Sequence, residues 1–132
     1  MSVFIDTSAL FALLDADDDN HAKAAKSWRE LIGSQQALIT TSYVLVESCA
    51  LIQNRLGLEA VRGFCDDLVP VLTVEFVTSD IHRLGTAALL AASKRGLSLV
   101  DCVSFETMRE LGIRSVFTFD RHFREYGFTV LP

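Results

Sequence analysis

Residues 3–14 read Val3-Phe4-Ile5-Asp6-Thr7-Ser8-Ala9-Leu10-Phe11-Ala12-Leu13-Leu14. The first three are β-branched or aromatic with no polar residue between them. That is how a strand covered on both faces looks, not one alternating between core and water. Asp6-Thr7-Ser8 ends the run and offers side-chain oxygens to the free N–H groups of a helix expected over Ala9–Leu14. A covered strand that passes straight into a helix opens a parallel α/β unit.

The alternation continues down the chain. Further strands are expected at Ala37–Thr40, Val71–Val77, Ser115–Phe119 and Phe128–Leu131. Between them, apolar residues at helical spacing predict helices over His21–Ile32, Ser42–Leu56, Leu58–Leu68 and Leu99–Leu111. A further helix capped by Ser79-Asp80 is expected to reach Arg95, and a short one runs over Arg121–Tyr126. Gly33, Gly57, Gly96, Gly112 and Gly127 supply stops, and Pro70 punctuates. No repeat or linker interrupts the pattern, so the expectation is one three-layer α/β domain over residues 1–132.

Composition narrows the function classes. Half of the 132 residues are hydrophobic, which excludes a disordered chain. No apolar run approaches the roughly 18 residues of a membrane span, and the N-terminus lacks a signal-peptide pattern. A soluble, cytoplasmic protein is expected. Twelve basic and 17 acidic side chains give a net charge of -5, too acidic for a broad phosphate-gripping surface. The imbalance is uneven: residues 1–93 carry a net -6 and residues 94–132 a net +1, so polyanion contact is expected in the C-terminal third. Cys49, Cys65 and Cys102 fit neither a zinc spacing nor a disulfide framework and read as reduced, buried residues.

Four carboxylates stand where carboxylates are costly. Asp6 and Asp120 end apolar strands, and in parallel sheets ligands bind outside the strands' carboxyl ends. Glu47 interrupts the apolar Val44-Leu45-Val46 and Cys49-Ala50-Leu51, while Asp101 opens a helix. Each has a local explanation: Asp6 and Asp120 as helix N-caps, Ser98-x-x-Asp101 as a capping box, Glu47 as an outward or ion-paired residue. Were all four to meet, two carboxylates ~5 Å apart would repel by roughly 3 kcal/mol at an effective dielectric near 20. Protonation or a divalent cation must then offset the repulsion, and all-oxygen ligation favours Mg²⁺ or Mn²⁺ over zinc.

Four segments carrying these acids resemble the PIN-domain ribonucleases, and within them the VapC-type toxins of toxin–antitoxin pairs. They are Val3-Phe4-Ile5-Asp6-Thr7-Ser8-Ala9-Leu10, Thr40-Thr41-Ser42-Tyr43-Val44-Leu45-Val46-Glu47, Leu99-Val100-Asp101-Cys102-Val103-Ser104-Phe105 and Phe117-Thr118-Phe119-Asp120-Arg121-His122-Phe123. The resemblance implies a Rossmann-like, mostly parallel sheet of about five strands and Mg²⁺- or Mn²⁺-dependent endonucleolytic cleavage of RNA. It makes Asp6, Glu47, Asp101 and Asp120 the catalytic, metal-binding quartet, with Ser8 and Thr118 as supporting hydroxyls. Ser104 stands where some relatives carry a further acid, which puts a second metal in doubt. The implied partners are a second copy of the chain and a small antitoxin whose basic arm enters the acidic site.

Other residues read more plainly. Arg121 and Arg124 flank the last carboxylate and are candidates for phosphate contact or for simple surface charge. His21, His82 and His122 share no ligand spacing and read as structural, although His122 lies beside Asp120. The run Asp15 to Asp19 lacks the glycine and distal glutamate of a calcium loop and reads as a solvated turn. Three other classes compete with the nuclease. A non-catalytic PIN-like scaffold binding RNA or protein would not need the full quartet. A hydrolase using Asp6 as nucleophile would want an aspartate where Ser8 stands. A nucleotide-binding module would want a glycine-rich phosphate loop, which the chain lacks.

Overall fold

In the computed structural model, which describes residues 1–132, the chain forms one five-stranded sheet with helices between the strands. β1 (Ser2–Ile5), β2 (Ala37–Thr41), β3 (Thr73–Glu75), β4 (Ser115–Phe117) and β5 (Thr129–Leu131) lie in the order β3-β2-β1-β4-β5, every pair parallel. β1 is central, pairing Val3 with Leu38 of β2 on one side and with Ser115 of β4 on the other. Val3, Phe4, Ile5, Val116 and Phe117 are each at most 1% exposed. Successive strand residues point to opposite faces, so both faces of the sheet centre are covered. This is the expected three-layer α/β architecture.

The first crossovers carry the chain from β1 through β2 to β3, and the next returns it to the far side of β1. The winding direction therefore reverses between β1 and β4, and such reversal points open a crevice at the strands' carboxyl ends. The helices are α1 (Thr7–Leu14), α2 (His21–Gly33), α3 (Ser42–Leu56), α4 (Leu58–Gly63), α5 (Ser79–Ala92), α6 (Leu99–Leu111) and α7 (His122–Glu125). None is long and apolar enough to cross a membrane.

Two packing contacts fix the frame of the site. Gly85 of α5 lies so close to α6 that an added Cβ would stand 2.6 Å from Val103 Cγ2. Phe105 of α6 meets Phe123 edge-on at 4.9 Å and stacks with Tyr126 at 4.6 Å and Phe128 at 5.7 Å. Those rings tie the segment after β4 to α6, and aromatic pairs at such separations add about 0.5–1.5 kcal/mol each beyond burial.

Several boundaries depart from the sequence expectation. Val71–Val77 shortens to Thr73–Glu75 because Val69–Val71, with Pro70 inside, winds into a 3₁₀ turn. Val77 N–H then donates to Ser42 Oγ at 3.0 Å, outside the sheet. The helix expected to Leu68 is α-helical only to Gly63 and continues as a π-helical turn over Phe64–Leu68. α5 is capped by Thr78, whose Oγ1 accepts from Ile81 N–H at 3.2 Å, and it stops at Ser93 in a left-handed conformation before Gly96 is reached. The cysteines also differ: Cys102 is buried, but Cys49 is half-buried and Cys65 exposed. Cys65 sits on the π-helical turn, where the wider winding carries it to the surface.

Candidate active site

Asp6 follows β1 directly, and its N–H still donates to Phe117 O of β4 at 3.1 Å, which holds it at the crevice. It occupies the N-cap position of α1, yet its side chain makes no cap bond. Instead Asp6 Oδ2 accepts from Ser8 Oγ at 2.9 Å and from Thr118 Oγ1 at 2.8 Å. Each hydroxyl has a single hydrogen to give, and each also accepts a backbone N–H: Phe119 to Ser8 at 2.9 Å, Asp120 to Thr118 at 2.9 Å. The pair thus straps the β4 end to the β1 end and delivers two donors to one carboxylate oxygen.

Glu47 enters from α3, whose start is set by Thr41 Oγ1 accepting from Val44 N–H at 3.1 Å. Asp101 enters from the first turn of α6. Its Oδ2 accepts from Ser98 N–H at 3.1 Å while Ser98 Oγ accepts from Asp101 N–H at 3.0 Å. The capping-box reading is therefore correct, and it anchors one carboxylate oxygen while the other has no protein partner. Asp120 Oδ1 accepts from both the N–H and the Nδ1 of His122, at 2.9 and 2.8 Å.

The four carboxylates line one cleft of about 370 Å³, together with Thr7, Ser8, Leu51, Gly96 and Ser98. No Lys or Arg is among these residues. Burial raises the pKa of Asp6 to about 6, with Asp101 adding repulsion and the Thr118 and Ser8 hydroxyls pulling the other way. Burial likewise raises Glu47, with Asp6 and Asp120 as like-charged neighbours, and Asp101, with Asp120 and Glu47. Each acid thus meets at least two others, and the one basic side chain among them is His122, on Asp120.

The sequence left His122 outside the site. Ligand atoms of Asp101, Asp120 and His122 lie within 4.8 Å of one another, a donor set able to hold a metal ion. The available signal was its place two residues after Asp120, the spacing at which an aspartate accepts from the backbone two residues on. Gly96, expected as a helix stop, lies beside that imidazole: a Cβ there would stand 3.7 Å from His122 Cε1, in ordinary van der Waals contact. Ser104 points elsewhere, its Oγ donating to Val100 O at 2.8 Å within α6, and it does not line the cleft. Arg121 stands exposed just outside, with Nε 3.7 Å from Glu125 Oε1.

The profile of the PIN domain family matches residues 3–129. The chain is 34% identical over 127 residues to the 23S rRNA-specific endonuclease VapC20 of Mycobacterium tuberculosis, covering 96% of this chain and 95% of that one. It is 22% identical over 129 residues to a VapC ribonuclease of Aquifex aeolicus, covering 97% and 95% respectively. The crystal structure of M. tuberculosis VapC20, described as a Sarcin-Ricin loop cleaving toxin, superposes with a TM-score of 0.87 at 33% identity, over 98% of this chain and 99% of that chain. A fold with its crevice between β1 and β4, the four ordered acidic segments and these matches lead to one conclusion: the chain belongs to the PIN-domain family and is similar within it to the VapC-type ribonucleases.

Proposed function

We propose that residues 1–132 form one PIN domain acting in the cytoplasm as a divalent-metal-dependent endoribonuclease, the toxin of a toxin–antitoxin pair. The observation that carries this reading is the convergence of Asp6, Glu47, Asp101 and Asp120 on one cleft with no cationic side chain. Such a cleft is costly for folding alone and suited to a hard cation. The relatives named as an rRNA-specific endonuclease and a VapC ribonuclease support RNA as the substrate.

The donor set fits Mg²⁺ or Mn²⁺: Asp6, Asp101 and Asp120 each keep one carboxylate oxygen free of protein partners. These three and Glu47 would hold the ion. A divalent cation there supplies charge neutralisation and Lewis acidity for phosphodiester hydrolysis. The chain's own part is preorganisation. Ser8 and Thr118 fix Asp6 and partly offset the effect of its burial, Ser98 fixes Asp101, and His122 fixes Asp120. Glu47, lining the same cleft from α3, would either complete the ion's ligands or orient the attacking water. In-line attack by water on phosphorus, with the P–O3′ bond breaking and O3′ leaving as a hydroxyl after protonation, would give 5′-phosphate and 3′-hydroxyl ends. A neutralising partner with an arginine-rich arm suits the same acidic cleft, and a homodimer is part of the proposal.

The test is cleavage of structured RNA, with rRNA stem–loops first, in Mg²⁺, Mn²⁺ and excess EDTA, alongside Asp6→Asn and Glu47→Gln. Cutting by wild type in metal, lost in EDTA and lowered about 100-fold or more in either variant, is the expected result. Equal cutting in EDTA would falsify the metal-dependent reading. Equal cutting by both variants removes the quartet from the chemistry. Light scattering tests the dimer.

A further inference from the structure

Asp120 borders two concavities. One is the acidic cleft; the other, of about 220 Å³, is formed by Thr118, Phe119, Asp120, Arg121, Arg124 and Pro132 among others. Two guanidinium groups on the rim of an acidic chain's most acidic site are unexplained by stability. Arg124 belongs to no ion pair. Arg121 meets only Glu125, at 3.7 Å, with its side chain 85% exposed, a contact worth little in water. Both forks are therefore free to bind, and Arg is the side chain whose paired donors match phosphate oxygens.

The geometry adds direction. A strand with its scissile phosphate among the carboxylates meets no Lys or Arg in that cleft, and the charge of its next phosphate calls for a cationic seat outside it. The groove across Asp120 offers that seat. Thr118 fixes its inner wall by donating to Asp6, and Phe119, held edge-on to Phe117 at 6.2 Å, supplies an apolar surface for the attached sugar or base. We propose that this groove is a substrate subsite holding the nucleotide next to the cut, with Arg121 and Arg124 gripping its phosphate. The subsite rests on the nuclease reading above and adds positioning residues outside the carboxylate set.

The experiment uses RNA oligonucleotides spanning a mapped cut, each carrying one uncharged methylphosphonate linkage at a different position flanking the scissile bond. In wild type, one flanking position should lower kcat/KM about tenfold or more, chiefly through KM. The double variant Arg121→Ala/Arg124→Ala should show a similar loss on unmodified RNA, and no further loss at that one position. Its salt dependence should flatten by about 0.7 in slope, from one fewer neutralised phosphate on a single strand. Arg121→Lys/Arg124→Lys should recover part of the activity. A double variant that melts like wild type and cuts like wild type at every salt concentration overturns the subsite, and so does one whose loss multiplies with the linkage loss at every position. Failure of the wild type to cut any RNA with divalent metal sinks the nuclease reading and the subsite together, and shows itself before any arginine is changed.

Discussion

Replacing Asp6 with Asn should stabilise the metal-free protein at neutral pH while abolishing its activity. In the folded chain the Asp6 carboxyl titrates at about 6 instead of 3.8, because it is buried and faces Asp101. The native state thus keeps a proton that the unfolded chain releases, and stability falls as pH rises from about 4 through 6, then levels off. At about 1.4 kcal/mol per tenfold change in proton affinity, the loss is about 3 kcal/mol. Asn cannot ionise, yet its carbonyl oxygen can still accept from Ser8 and Thr118, so the variant avoids the loss without breaking the strap. In excess EDTA at pH 8 its melting temperature should exceed that of wild type by up to about 10 °C, with little difference at pH 4. Glu47 and Asp101 shift in the same direction, so a weaker pH dependence should persist in the variant. Millimolar Mg²⁺ should stabilise wild type more at pH 8 than at pH 5, and the variant less than wild type. Scanning calorimetry over a pH series reads all of this. A variant no more stable than wild type at pH 8, or offset equally at pH 4 and 8, would refute the reasoning.

Other substitutions probe the supports. Thr118→Val removes a donor that lowers the Asp6 pKa, so the acidic limb of the cleavage–pH profile should move to higher pH; an unmoved limb would count against the strap. Ser98→Ala should cost about 0.5–2 kcal/mol in thermal melts as a lost helix cap, while the Ser98 N–H bond to Asp101 Oδ2 stays in place. Gly85→Ala should destabilise by about 1–3 kcal/mol in thermal melts, because the new methyl meets both Val103 Cγ2 and, at 3.3 Å, the Val103 backbone N. A neutral result there would mean that α5 and α6 can separate freely.

The strand and helix order was readable because the central strands are uninterrupted apolar runs and the helix ends carry Thr, Ser and Gly signals. Val71–Val77 misled because its β-branched composition suits a strand, while Pro70 commits the residues beside it to a 3₁₀ turn. Cys65 misled because a π-helical turn shifts which residues face inward, and no spacing rule for an α-helix anticipates it. At the site, the types and chain positions of the four acids were legible, but their local roles were ambiguous. Asp101 shows why: it is a capping-box residue and a cleft carboxylate at once. Their meeting depends on β4 inserting beside β1, a long-range choice that no local pattern encodes. His122 was passed over because a single histidine has no periodicity to betray it.

The hydroxyl strap has a consequence for biosynthesis. Ser8 is made early, but its partners Thr118 and Phe119 and the neighbouring Asp120 lie 110 or more positions later. A nascent polypeptide still attached to its ribosome therefore lacks a finished acidic cleft until β4 has emerged and slid in beside β1. Premature termination anywhere upstream of β4 yields a fragment that lacks Thr118 and Asp120 and so cannot join the two strand ends through the strap.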